Sequence, residues 1–194
     1  MLRRRPRLLG LLLLAGALLG GCRHKSKTPE EAFQRFAAAV TARDGLALFD
    51  ALDQKTRWDL MTIQKYHREA YDIVLSNYPE GPVRDREKAR FERAATAASA
   101  RELFRSDAAP ALLPALVALA QGIPRVEPGP ADGQATAVLE NGQRVPFARG
   151  QDGGWGYAGL AKKTEDDTNR AYHDLEVVRA SAADYERAAA RAAK

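Results

Sequence analysis

The chain has 194 residues, 45% of them hydrophobic, with 30 lysines and arginines against 25 aspartates and glutamates and a single cysteine. Four of the basic residues are Arg3, Arg4, Arg5 and Arg7; without them the balance is 26 to 25, so nothing in the overall charge argues for a nucleic-acid binder, which needs a concentrated basic face. One cysteine excludes an internal disulfide and paired-thiol chemistry, so stability must come from a buried core, for which one domain of this length suffices.

The basic cluster is followed by the apolar run Leu8 to Leu19, the layout of a secretory signal. About a dozen apolar residues are too few to span a bilayer, which takes about 20. The run ends at Gly20 and Gly21, directly before the only cysteine. Leu19-Gly20-Gly21-Cys22 resembles the lipobox of bacterial lipoproteins. That resemblance implies cleavage before Cys22, transfer of diacylglycerol to its thiol, and a membrane anchor that several acyl chains make effectively permanent. Arg23 stands where an aspartate would mark inner-membrane retention under the enteric sorting rule, so the resemblance implies the outer membrane, facing the periplasm. Residues 1–21 are thus a signal peptide and 22–28 a short polar tether.

Thr28-Pro29-Glu30-Glu31 starts the first helix, with Thr28 as N-cap, Pro29 at the first helical position and Glu31 placed for a capping box. Phe33, Phe36, Ala37 and Val40 share one face until Asp44-Gly45. Leu46, Leu48, Phe49 and Leu52 make a short second helix. A third is expected from Gln54 to Asn77, with Trp58, Met61, Ala70, Ile73 and Val74 in the core, closed by Pro79, Gly81 and Pro82. Arg84 to Arg105 reads as one charged helix whose Arg86, Arg90 and Arg93 are balanced by interleaved acids. Ala109 to Ala120, with Pro110 and Pro114, reads as a buried helix or two short turns.

After Gly122 the pattern turns to strands at Ile123–Val126, Gln134–Leu139, Arg144–Arg149 and Trp155–Tyr157, a small antiparallel meander. Asn141-Gly142 predicts a type I′ hairpin turn, and Pro146 an edge strand or an irregularity. From Thr164 to the end runs a long helix whose Ala171, Leu175, Val178, Ala182, Tyr185 and Ala189 form a narrow seam, packed on the same domain or used for self-association. The expected class is α+β: N-terminal helices packed on a small antiparallel meander sheet in a domain over 29–163, with an amphipathic C-terminal helix over 164–194.

Thr28-Pro29-Glu30-Glu31-Ala32-Phe33, the segment Asp44 to Asp50, Asn141-Gly142 and Asp152-Gly153-Gly154-Trp155, in this order of helices and closing strands, are similar to the cystatin-like cone of the nuclear transport factor two superfamily, in particular its lipoprotein members. The resemblance implies a cone enclosing a small apolar ligand. In enzymes of that group a histidine or carboxylate sits inside the cone. Here the candidate base is His67, with Glu69 or Asp72, and the candidate pocket lining is Trp58, Met61, Phe147, Trp155 and Tyr157. His24 belongs to the tether, and His173 lies among charges on the last helix.

No phosphate loop, nucleophile elbow or metal-ligand spacing is present, so no cofactor or metal is expected. The leading expectation is a membrane-anchored, non-catalytic binding or structural module of the cell envelope, whose partner is a small apolar ligand, an envelope protein or the wall layer. The alternatives are an isomerase or hydrolase of the cone type using His67, and an assembly protein acting through the C-terminal helix.

Overall fold

The computed structural model describes residues 25–193. The signal segment, the lipidation position Cys22 and His24 lie outside the described residues. The class is α+β, with helices α1 (Pro29–Thr41), α2 (Gly45–Ala51), α3 (Gln54–Asn77), α4 (Pro82–Thr96), α5 (Ala100–Asp107), α6 (Ala109–Leu116) and α7 (Ala161–Ala192). Between α6 and α7 lie a short 3-10 helix, Val117–Ala120, and strands β1 (Arg125–Pro128), β2 (Gln134–Val138), β3 (Arg144–Arg149) and β4 (Trp155–Tyr157). The strands form one antiparallel sheet in the order β1-β2-β3-β4, a meander.

Local chemistry sets the helix starts. The Thr28 hydroxyl accepts from Glu31 N–H at 3.2 Å, and the Glu31 carboxylate accepts from Lys27 N–H at 2.7 Å, a reciprocal cap. Asp44 caps α2 through Leu46 and Ala47 N–H, and Asp53 caps α3 through Lys55 N–H at 3.1 Å. The stretch read as one charged helix is two, α4 and α5, because Ser99 accepts from Glu102 N–H and opens a new N-terminus. Ser99-Ala100-Arg101-Glu102 is itself a capping-box pattern.

Two apolar clusters hold the domain. In the first, Phe33, Phe36, Val40, Leu48 and Leu52 of the opening helices meet Phe147, Val145 and Tyr157 of the sheet and Phe104, Leu113 and Leu116 of α5 and α6. The second joins α3 (Ala70, Val74), α4 (Phe91) and α7 (Leu175, Val178, Ala182). Contacts between the two long helices advance together, from Lys55–Glu165 through the Glu69–Arg179 ion pair to the Tyr78 and Tyr185 rings at 4.9 Å. The helices therefore run side by side in the same direction, and the α7 seam from Ala171 to Ala182 is buried inside the chain, while Ala189 is exposed.

Trp58 and Met61, expected in the core, are 48% and 54% exposed. Thr56, Ala70 and Val74 take the inward face of α3 instead. Trp58 stands two residues from the fully buried Thr56 and points away from it, and Met61, three residues further, shares that side. Ala109 to Ala120 is likewise only half inward, since Pro110, Ala111, Pro114, Ala115, Val117 and Ala118 are exposed. No single described helix is long and apolar enough to cross a membrane.

The hairpin at Asn141-Gly142 is not type I′. Gly142 has φ +79°, but Asn141 is not among the residues with positive φ. Gly142 N–H bonds Leu139 C=O and Leu139 N–H bonds Gln143 C=O, a three-residue loop closed by glycine in the left-handed region. Pro146 sits on β3, an inner strand rather than an edge. Arg149 N–H bonds Gly133 C=O, so odd-numbered positions of β3 face β2, and the Pro146 nitrogen faces Ala158, whose N–H bonds Pro146 C=O and whose own C=O accepts from Ala161 N–H instead.

The expected tether is partly built into the fold. Ser26 is buried and its carbonyl accepts from Trp155 N–H at 2.9 Å, extending the sheet past β4, and Lys25 pairs with Asp152 at 3.2 Å. Gly156 fixes the other flank of β4, because a Cβ there would lie 2.5 Å from the Leu52–Asp53 backbone. This close approach brings the start of α3 over the sheet.

Candidate functional site

The five residues expected to line one pocket do not converge. Phe147 and Tyr157 are core side chains, and the Phe36 ring stacks on Tyr157 with centroids 4.4 Å apart and meets Phe147 edge-on at 6.3 Å. The space between α1 and the inner sheet face is thus filled by aromatic rings. Trp155 borders a small cleft beside Lys25, Ser26 and Asp152. Met61 opens onto a groove with Gln64, Arg68 and Arg101, and Trp58 onto a different one, against the sheet, which of the other four only Phe147 borders.

His67 occupies a cavity of about 460 Å³ bounded by α3, α4, α5 and α7. Leu60 and Ile63 come from the turns of α3 before His67, Phe91 and Ala94 from α4, Leu103 and Phe104 from α5, and Ala171 from α7. The volume falls within the ~300–1,000 Å³ typical of small-ligand sites. One end is polar: Arg90 pairs with Asp174 at 2.6 Å while its guanidinium carbon lies 5.0 Å from the Phe91 ring centroid. Asp107 and Asp167 at the rim are paired with Arg93 and Lys163.

The His67 ring lies 5.6 Å from that of Phe91. Burial pushes its pKa below the ordinary value, with Arg90 adding to this and Asp174 opposing it, so the imidazole is neutral at pH 7. The carboxylates expected to serve it go elsewhere: Glu69 pairs with Arg179, and Asp72 is exposed. Asp174, the acid that does approach, is held by Arg90. The cavity therefore offers an apolar body and one neutral hydrogen-bonding ring, without an aligned acid–base pair. His173, adjacent to Asp174, is exposed. Among the described residues no group of three or more His, Cys, Asp or Glu side chains could hold a metal ion.

A pH dependence follows from the His67 shift. The unfolded chain takes up a proton near pH 6.5, whereas folded His67 does so only at lower pH, so folding stability falls as the solution is acidified through and below 6.5. Urea unfolding at pH 7.5 and 5.5 should show a lower midpoint at 5.5, and H67F should narrow the gap. An unchanged gap would remove His67 as its source.

The sequence carried two signals for this cavity, His67 and Arg90, but on separate helices with nothing in the chain to say that they meet. Asp174 is supplied by α7, more than a hundred residues from His67. No family model, curated protein or solved structure matches the chain.

Proposed function

We propose that this chain is a lipid-anchored lipoprotein of a bacterial cell envelope, held through Cys22 on the outer membrane facing the periplasm, where it serves as a non-catalytic binding module. The reading rests on the Arg3–Arg7, Leu8–Leu19, Gly20-Gly21-Cys22 succession, which combines the charge, apolar length and small-residue boundary that export and acylation require. The fold is compatible with that address. Ser26 is fastened to the edge of β4, so the acylated cysteine would stand four residues away, about 14 Å at full extension.

The ligand of this module is a small apolar molecule bearing one hydroxyl or carbonyl group, taken into the cavity beside His67. The apolar walls supply the affinity, and the neutral imidazole supplies one directional hydrogen bond. A net-charged ligand is disfavoured, because the rim acids and Arg90 already pair with one another and with neighbouring bases. The opening helices α1 to α3 and the closing antiparallel strands support kinship with the cystatin-like cone, in a form with α4 to α6 inserted between them and an interior closed by Phe36, Phe147 and Tyr157.

Fractionation tests the anchor. The wild-type protein should sediment with membranes and release only with detergent, carrying the mass of an acylated N-terminal Cys22. C22S should lose the acyl mass and move to the soluble envelope fraction. A C22S variant that remains with the membrane, or a wild-type chain whose intact mass still begins at Met1, would overturn the reading.

A further inference from the structure

A second concavity, of about 670 Å³, lies between the outward face of the sheet and the first turns of α3 and α7. Its floor comes from alternate positions of two paired strands: Gln134 opposite Ala148 and Thr136 opposite Pro146. One wall is Trp58, an aromatic side chain left 48% exposed. The β3–β4 turn contributes Gln151.

The charged groups of this groove are engaged within the protein. Lys55 pairs with Asp59 and Glu165, Asp53 accepts from the Lys55 and Thr56 N–H groups, and the Arg149 Nε donates to Gly153 C=O. The Trp58 indole N–H, the Gln134 and Gln151 amides and the Thr136 hydroxyl have no partner among the described residues. What the groove presents is therefore a flat apolar ring beside several neutral donors and acceptors. An acyl chain would strand the amides unpaired. An uncharged pyranose fits both features, laying its C–H face on the indole and its hydroxyls on the amides, which both donate and accept.

We infer that this groove binds a short uncharged oligosaccharide segment, stacked on Trp58 and hydrogen-bonded by Gln134, Thr136 and Gln151. Gln151 adjoins Asp152, the partner of Lys25, so the groove opens close to the first of the described residues. Such a segment is found in cell-wall glycan strands and in glycolipid headgroups. The inference does not depend on acylation or on the His67 cavity, which other residues line.

The test uses full-length protein purified from its expressing cells in detergent. It is titrated with neutral oligomers of N-acetylglucosamine, glucose and galactose, followed by indole fluorescence and calorimetry. It is then co-sedimented with purified cell-wall glycan and with vesicles containing a neutral glycolipid. Saturable binding is expected, weakened about tenfold or more in W58A and severalfold in Q134A, and unchanged in M61A, which alters an exposed side chain on another groove. Trp58 is exposed, so W58A should keep the wild-type circular dichroism spectrum. Preference for wall material or for vesicles identifies the source of the glycan. Absence of saturable binding across the whole panel, or equal binding by folded W58A, overturns the assignment.

Discussion

L175E is expected to abolish the cooperative fold. Leu175 is 1% exposed and lies among Ala70, Val74, Phe91, Val178 and Ala182, where α3, α4 and α7 meet. Removing the leucine forfeits its burial, about 2–5 kcal/mol, and the glutamate must either hold a charge in an apolar cluster or take up a proton there, at several kcal/mol more. The sum approaches the ~5–15 kcal/mol that separates folded from unfolded domains. Circular dichroism and urea titration check it, and a sigmoidal transition at the wild-type midpoint would refute the packing. The same burial means that L175E reports on folding and not on assembly. Val177, half exposed on α7, is the position at which an added charge interrogates self-association.

F36A is expected to lower stability by about 3–5 kcal/mol, the range for truncating a fully buried phenylalanine. Phe36 has no exposed surface, and its ring touches Phe33, Phe147 and Tyr157. It is the joint between α1 and the sheet, and the neighbouring rings cannot close the gap, because β3 and β4 are fixed by their ladder and by the Asp53 N–H to Tyr157 C=O bond at 3.0 Å. The urea midpoint should fall with the slope of the transition unchanged. A loss under about 1 kcal/mol would show that the inner sheet face is not packed as described.

These two substitutions divide what was readable along the chain from what was not. Phe33, Phe36 and Val40 announced their buried face because a helix exposes one side at each turn, a rule that needs only the local sequence. Val145 and Phe147 did so because a strand alternates. Trp58 and Met61 obey the same periodicity and yet stand exposed. A helix as long as α3 has room for more than one apolar stripe, and which stripe is covered depends on where α4 and α7 lie. Arg84 to Arg105 reads as unbroken because its composition favours helix throughout, while Ser99 acts through a single hydroxyl that composition does not weigh. Asn141-Gly142 by itself favours a two-residue turn, whereas the register of β2 with β3 requires a three-residue loop.

By itself the sequence determined the α+β class, the cap at Thr28, the first three helices and the closing antiparallel meander, since each rests on neighbours within about ten positions. Tertiary structure alone decided that the inner sheet face is filled, that His67 meets Arg90 and Asp174, and that Trp58 stands beside Gln134 and Thr136. Those groups are brought together by elements folding back from far along the chain. Their meeting depends on the relative placement of helices and sheet, which is set by the packing of the two apolar clusters as a whole and is written in no single segment.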